Sequence, residues 1–313
     1  AVIAANTGHI VARETGAIEA TGHKIITVQS NNGKLTPEDI QAAVESNGHF
    51  PHMAKPRLVY ISNASELGTV YVKAELQALS DTCRGAGLLL FLDGARLGAA
   101  LSAHKNDLML KDIVKLTDIF WIGGTKAGAL FGEAIVIGNE ALAADFSFHI
   151  KQRGALLAKG RLLGIQFLEL FKTSLFFDLT KHANEMAQKL SVGIVDAGYR
   201  LSAKTETNQI FTILPNAVIE HLKKYFDFYV WEKFDEANIH IDLGSDQTSL
   251  HNPWAGGYYP VGLTFEEANK LSEQAEKLLV LETENLSTKS VSREMAIRSL
   301  DLAGLELGEM PIA

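Results

Sequence analysis

With 313 residues, 47% of them hydrophobic, the chain can bury one large core or two smaller ones, which excludes a disordered polypeptide. Its formal charge of −8 argues against general binding to nucleic acid or to anionic membranes. A single cysteine, Cys83, excludes an internal disulfide framework and fits a reducing compartment.

No run of about 18 apolar residues is present, so no membrane-spanning helix is predicted. The opening Ala-Val-Ile-Ala-Ala has neither the charged head nor the long apolar stretch of a signal peptide, and the expected location is the cytoplasm. The β-branched run at 24–28 is a strand, followed by a turn at Asn31-Asn32-Gly33. Thr36-Pro37-Glu38-Asp39 starts a helix: threonine caps, proline suits the first turn, and acids favour the positive end. Residues 57–61 form the next strand, and 71–84 read as a helix that buries Cys83. Residues 88–92 follow as a strand, then a helix from Ala95, then strands at 119–122 and 133–137. Continuous aliphatic strands separated by helices indicate an α/β fold, a mainly parallel sheet with helices on both faces.

Near residue 150 the pattern changes. Long helices are expected at 154–175 and 179–196, a strand at 209–214 ended by Pro215, and a short helix at 217–225. A strand at 238–242, a Gly- and aromatic-rich loop at 249–262 and a helix at 264–281 follow. The reading is a large domain over 1–153, a smaller α+β domain over 154–287, and a tail of unknown role over 288–313.

In open α/β sheets ligands sit at the carboxyl ends of the strands. Three polar segments follow three such ends: Ser62-Asn63-Ala64-Ser65-Glu66, Asp93-Gly94-Ala95-Arg96 and Gly123-Gly124-Thr125-Lys126. A lysine in a glycine-rich turn and an aspartate at a strand end suit pyridoxal phosphate, which needs an amine for its Schiff base and a carboxylate for its ring nitrogen. Lys126 would carry the cofactor and later move protons. Gly123 and Gly124 would let the backbone approach closely, and Thr125 offers a hydroxyl to the phosphate. Arg96 can reach a substrate carboxylate or the cofactor's phenolic oxygen. Taken singly, Lys126 suits a solvated surface, Asp93 a helix cap, Arg96 a surface ion pair and the glycines a tight turn. Their joint order favours the cofactor.

The segments Ser62-Asn-Ala-Ser-Glu-Leu-Gly-Thr-Val-Tyr71, Leu92-Asp-Gly-Ala-Arg-Leu97, and Gly123-Gly-Thr-Lys-Ala-Gly128 with Glu133-Ala-Ile-Val136 resemble the threonine aldolases of the β-eliminating lyase group, especially the low-specificity type. Lys151-Gln-Arg-Gly and Lys159-Gly-Arg161 are softer matches, and the likeness runs from about residue 2 to 236. The resemblance implies fold type I and cleavage of a β-hydroxy-α-amino acid, such as threonine, to glycine and an aldehyde. It implies that Lys126 forms the Schiff base, Asp93 pairs with the ring nitrogen, and Arg96, Thr125 and Gly124 border the cofactor. It places His9 against the pyridine face, and Ser62, Glu66 and Arg96 toward the substrate, with Glu66 either part of the base or a helix cap. It also implies a homodimer or homotetramer, a small amino-acid substrate, and no metal.

Two departures accompany the resemblance. The family has a preceding segment with a Gly-Thr turn that cradles the cofactor phosphate, which is expected to be missing here. The family's small-domain arginine, which clamps the substrate carboxylate, is also unmatched: the corresponding strand reads Asn238-Ile-His-Ile-Asp-Leu-Gly-Ser245. Another β-eliminating lyase, a racemase, or a truncated non-catalytic relative therefore stand as alternatives. A nucleotide-binding α/β domain is disfavoured, because no Gly-x-Gly-x-x-Gly turn opens a helix.

Overall fold

The computed structural model describes residues 1–226, 230–233 and 238–242. The expected loop at 249–262, helix at 264–281 and tail at 288–313 lie outside them. In chain order the first elements are β1 (Val2–Ala5), α1 (His9–Ala12), β2 (Ile25–Val28), α2 (Pro37–Ser46), β3 (Leu58–Ser62), α3 (Lys73–Gly85) and β4 (Leu89–Asp93). Next come α4 (Leu97–Leu101), α5 (Leu110–Leu116), β5 (Ile119–Gly123), β6 (Glu133–Ile137), α6 (Glu140–Ala143) and α7 (Phe146–Gln152). The rest are α8 (Arg161–Lys172), α9 (Leu175–Asp196), β7 (Arg200–Leu201), β8 (Phe211–Pro215), α10 (Asn216–Leu222), β9 (Val230–Lys233) and β10 (Asn238–Asp242).

Six strands form one sheet in the order β2-β1-β3-β4-β5-β6, parallel except for the antiparallel edge strand β6. Four short strands form a second, antiparallel sheet, β7-β8-β10-β9. Alternation along each strand sorts the side chains by face. Ile3, Val59, Ile61, Leu90, Leu92 and Phe120 build the main core with Ile40 of α2, Leu76, Leu79 and Cys83 of α3 and Ile113 of α5. On the other face Val2, Ala4 and Tyr60 pack with Ile10 of α1. Cys83 is buried as expected, and desolvation pushes its thiol up to about 12, so it is inert.

Local signals set most of the boundaries. Thr36 accepts from the Asp39 amide while Asp39 accepts from the Thr36 amide, a reciprocal cap that starts α2 at Pro37. Two expectations change, and one strand is new. The helix expected from 154 starts at Arg161, because the Gly154-to-Gly160 stretch forms turns, with Gly154 at φ +73°. The helix expected from Ala95 starts at Leu97 and is only five residues long. The strand β1 escapes a reading by pattern because four residues are too few, yet it lies inside the sheet between β2 and β3.

The α4–α9 junction fixes the long helix beside the sheet. A Cβ at Gly98 would lie 2.6 Å from Thr180 Cγ2 and 2.9 Å from Phe176 Cζ. Asn184 Nδ2 donates to the Ala99 carbonyl at 2.9 Å, which ties the two helices a turn further along. The 206–209 segment is tied in turn to the loop after β3: Thr207 Oγ1 donates to the Gly68 carbonyl and Gln209 Nε2 to that of Glu66.

Candidate active site

The polar segments converge because neighbouring parallel strands end at one edge. Ser62 and Asp93 are register partners at the ends of β3 and β4, and β5 ends beside them at Gly123. The two turns that follow β4 and β5 touch backbone to backbone: the Gly123 amide donates to the Gly94 carbonyl at 2.8 Å. A Cβ at Gly94 would collide with the Trp121 carbonyl, and one at Gly123 with that of Ala95. Only glycine permits this approach, which sets the Asp93 turn against the turn that carries Lys126. The close approach at Gly123 thus serves the protein's own backbone.

Asp93, 7% exposed, is held by three donors. Its Oδ1 accepts from Trp121 Nε1 at 2.6 Å and from the Ala95 amide at 2.8 Å, and its Oδ2 accepts from the Tyr60 hydroxyl. Tyr60, Phe91 and Trp121 form an aromatic row across β3, β4 and β5: Tyr60 stacks on Phe91 at 5.2 Å, and Phe91 meets Trp121 edge-on at 4.8 Å. Phe91 is two residues before Asp93, so alternation places both on the face that carries this row. Burial and the Asp93 charge push the Tyr60 phenol well above its usual range, so it stays a donor.

Glu66 Oε1 accepts from Ser62 Oγ at 2.6 Å and from the His9 amide at 3.0 Å. Desolvation raises this carboxyl above its ordinary value, with those two bonds opposing and Asp93 adding to the rise. His9 opens α1 just after β1, a fourth strand end, and its Nδ1 lies 2.8 Å from Glu14 Oε1. An ionised carboxylate only accepts, so Nδ1 is the donor in this contact. Lys126 sits in a single 3-10 turn, Thr125–Ala127, half-buried, that ends at Gly128 with φ +103°. Thr125 shares this turn, and the Gly124 amide donates to Glu133 Oε2 at 3.2 Å. Glu133 stands opposite Gly123 in the β5–β6 register. The residue is exposed, yet desolvation of its carboxyl pushes it up to about 7, with the Gly124 amide and Lys126 pulling it down and Asp93 pushing it up. Among the described residues three buried atoms near these segments lack partners: Arg96 Nε, Asn63 Nδ2 and Thr7 Oγ1.

The structure thus brings Ser62, Glu66 and His9 together and sets the Asp93 and Lys126 turns side by side. Reading by segment missed Tyr60, Trp121, Glu14 and Glu133. Tyr60 lies two residues before Ser62, and Trp121 two before Gly123, so same-face spacing within each strand was their available signal. Glu14 had no such signal, since it follows α1 in a turn.

Residues 1–217 match the beta-eliminating lyase family model. The chain belongs to that family. It is 37% identical over 239 residues to the low specificity L-threonine aldolase of Pseudomonas sp. (strain NCIMB 10558), covering 74% of this chain and 67% of that protein. It is also similar to a solved structure, the threonine aldolase of Leishmania major, at 51% identity with a TM-score of 0.74, covering 77% of this chain and 71% of that one.

Residues 227–306 of this lyase match a different model, the urocanase Rossmann-like domain. Within the chain, 31 residues are 71% identical to the urocanate hydratase of Mus musculus, 10% of this chain and 5% of that protein. The strand compared above with the family's arginine-bearing strand, β10, lies inside this second match and outside the first. The expected 154–287 domain runs across both. Among the described residues no helix is long and apolar enough to cross a membrane.

Proposed function

We propose that this chain is a pyridoxal-phosphate-dependent carbon–carbon lyase that cleaves β-hydroxy-α-amino acids of the threonine and allo-threonine type to glycine and an aldehyde. The observation that carries the reading is the glycine-mediated junction of the Asp93 and Lys126 turns. The residues present fit the cofactor. A carboxylate offers about four acceptor positions, so three donors on Asp93 leave one for a ring N–H. Arg96 Nε and Asn63 Nδ2, without partners among the described residues, are donors suited to an anionic ligand. When bound, pyridoxal phosphate supplies an aldehyde for amines and an electron-accepting ring.

The chain's own residues then divide the work. Lys126 would hold the cofactor through Nζ and is placed to move a proton at the substrate's α-carbon. Asp93, oriented by Tyr60 and Trp121, would pair with the ring nitrogen. His9, held by Glu14, would lie against the cofactor. Thr125 and the Gly124 turn border the phosphate. Glu66, oriented by Ser62 and the His9 amide, takes the β-hydroxyl proton, and burial raises its affinity for protons. Arg96 faces the substrate carboxylate. The protein works in the cytoplasm as a homodimer or homotetramer on a small amino-acid substrate, without a metal.

A second reading has one observation in its favour. The lyase match stops at 217 and a match to another family follows, so a chain that loads cofactor but turns over weakly stands beside the full aldolase. Visible absorption with added pyridoxal phosphate, followed by an aldehyde-release assay, separates the two. The expected result is a new band that borohydride fixes and Lys126→Ala abolishes, together with aldehyde formed from threonine. A band without aldehyde favours the second reading, and no band at saturating cofactor refutes both.

A further inference from the structure

A cavity of about 620 Å3 lies between the end of α4, one face of α9 and residues 204–206. Its size falls within the range of small-molecule sites, roughly 300–1,000 Å3. None of the residues assigned above to the candidate active site lines it. Its rim is basic in an acidic chain: His104, Lys105, Lys181, Lys189 and Lys204 face only two carboxylates, Glu185 and Glu206. Glu206 is already engaged, accepting from Lys105 Nζ at 3.1 Å and from the Val70 amide at 2.9 Å. Lys181, Glu185 and Lys189 follow one another at four-residue spacing on a single face of α9. Even so, neither these lysines nor Lys204 closes an ion pair among the described residues.

Two uncharged residues carry the argument further. Asn184 and Thr205 line the cavity at 6% and 7% exposure, and each keeps one buried atom without a partner among the described residues, Asn184 Oδ1 and Thr205 Oγ1. Both residues are anchored by their other polar groups. Asn184 Nδ2 donates to the Ala99 carbonyl at 2.9 Å, and the Thr205 carbonyl accepts from Gln188 Nε2 at 2.7 Å. Buried polar atoms are rarely left unmatched, because losing water without gaining a partner opposes folding. Among the described residues a hydroxyl and an amide oxygen without partners therefore share this lining with Lys181, Lys189 and Lys204, which close no ion pair.

We propose that this cavity binds a phosphate ester of sugar-phosphate or mononucleotide size. Lysines serve phosphate as point charges, and the Thr205 hydroxyl donates to one of its oxygens. Asn184 Oδ1 accepts from an O–H or N–H on the body of the ligand. Inorganic phosphate alone leaves most of the 620 Å3 unfilled, and a neutral molecule leaves the lysines unused.

The test is calorimetric titration of adenosine 5′-monophosphate into the full chain, with and without bound pyridoxal phosphate, so that a failure of cofactor loading is seen separately. Saturable one-to-one binding is expected in both forms. Thr205→Val and the pair Lys181→Ala with Lys204→Ala should each weaken it roughly tenfold or more, since each removes a charge-assisted contact, while cofactor absorbance stays unchanged. Should Thr205→Val fail to fold, the exposed lysine pair carries the test. The absence of saturable binding, binding indifferent to the variants, or inorganic phosphate binding as tightly as the nucleotide overturns the proposal.

Discussion

The carboxylate of Asp93 collects a phenol, an indole and a backbone amide, and these donors hold it in one orientation. Asp93→Asn keeps the shape but sets an amide group among donors and removes the charge meant for the ring nitrogen. Aldehyde release should fall by roughly a hundredfold or more while the cofactor band persists, as assay and spectrum together will show. Glu133 allows a prediction with a pH sign. Its carboxyl rises in the folded chain from an ordinary 4.5 to about 7, so folding favours its protonated form. That contribution to stability is complete below about 4.5 and is lost as pH climbs through about 7. Glu133→Gln removes the loss, so the variant's melting temperature relative to wild type should be higher at pH 8 than at pH 4.5. The difference should be small, because the residue is partly exposed and solvent screens its charge. An equal difference at both pH values would refute the assignment.

Elements meet the site through close backbone contacts at glycine. Gly94 and Gly123 join the turns after β4 and β5, and Gly98 lets α9 lie directly on α4. Gly98→Val would drive side-chain atoms into Thr180 and the buried ring of Phe176. Such overpacking should cost about 1–3 kcal/mol, read as a lower urea midpoint with little change in slope. An unchanged midpoint would show that the helices are not packed as described. Much of this level was legible in the sequence. Thr36-Pro37 marked the start of α2, and the aliphatic runs marked β3, β4 and β5, because capping and burial are local demands. The start of α8 was not, since apolar spacing continues through 154–160 while the chain there turns. Nor was β1, whose strand character comes from its two neighbours in the sheet.

For the whole molecule, the described residues leave an apolar stripe on α8 uncovered. Leu162, Ile165 and Leu168 recur at three-residue spacing on α8 and are 56%, 49% and 62% exposed. Large exposed apolar patches mark interaction surfaces, and a second copy of this chain is the occupant that the proposed oligomer supplies. Light scattering should give at least twice the mass of one chain, and Leu162→Glu with Leu168→Glu should shift it toward one copy. A wild-type monomer at micromolar concentration would remove the oligomer from the proposal. The two family matches, over 1–217 and 227–306, belong to this scale as well. They account for the unmatched arginine, because β10 falls within the second.

The sequence by itself determined the α/β class, five of the six strands of the main sheet and the turns bearing Asp93 and Lys126, because hydrophobic period, caps and glycine-rich motifs are written over a few neighbouring residues. Only the tertiary structure decided which side chains gather there. Tyr60 and Trp121 reach Asp93 because strands distant in sequence stand side by side in register, and Glu66 meets the His9 amide because the ends of β1 and β3 adjoin. The basic cavity is of the same kind: Asn184 and Thr205 become neighbours because α9 packs on α4 and the 206–209 segment is tied to the loop after β3. Such sites depend on pairing and packing between distant segments, which no local pattern encodes.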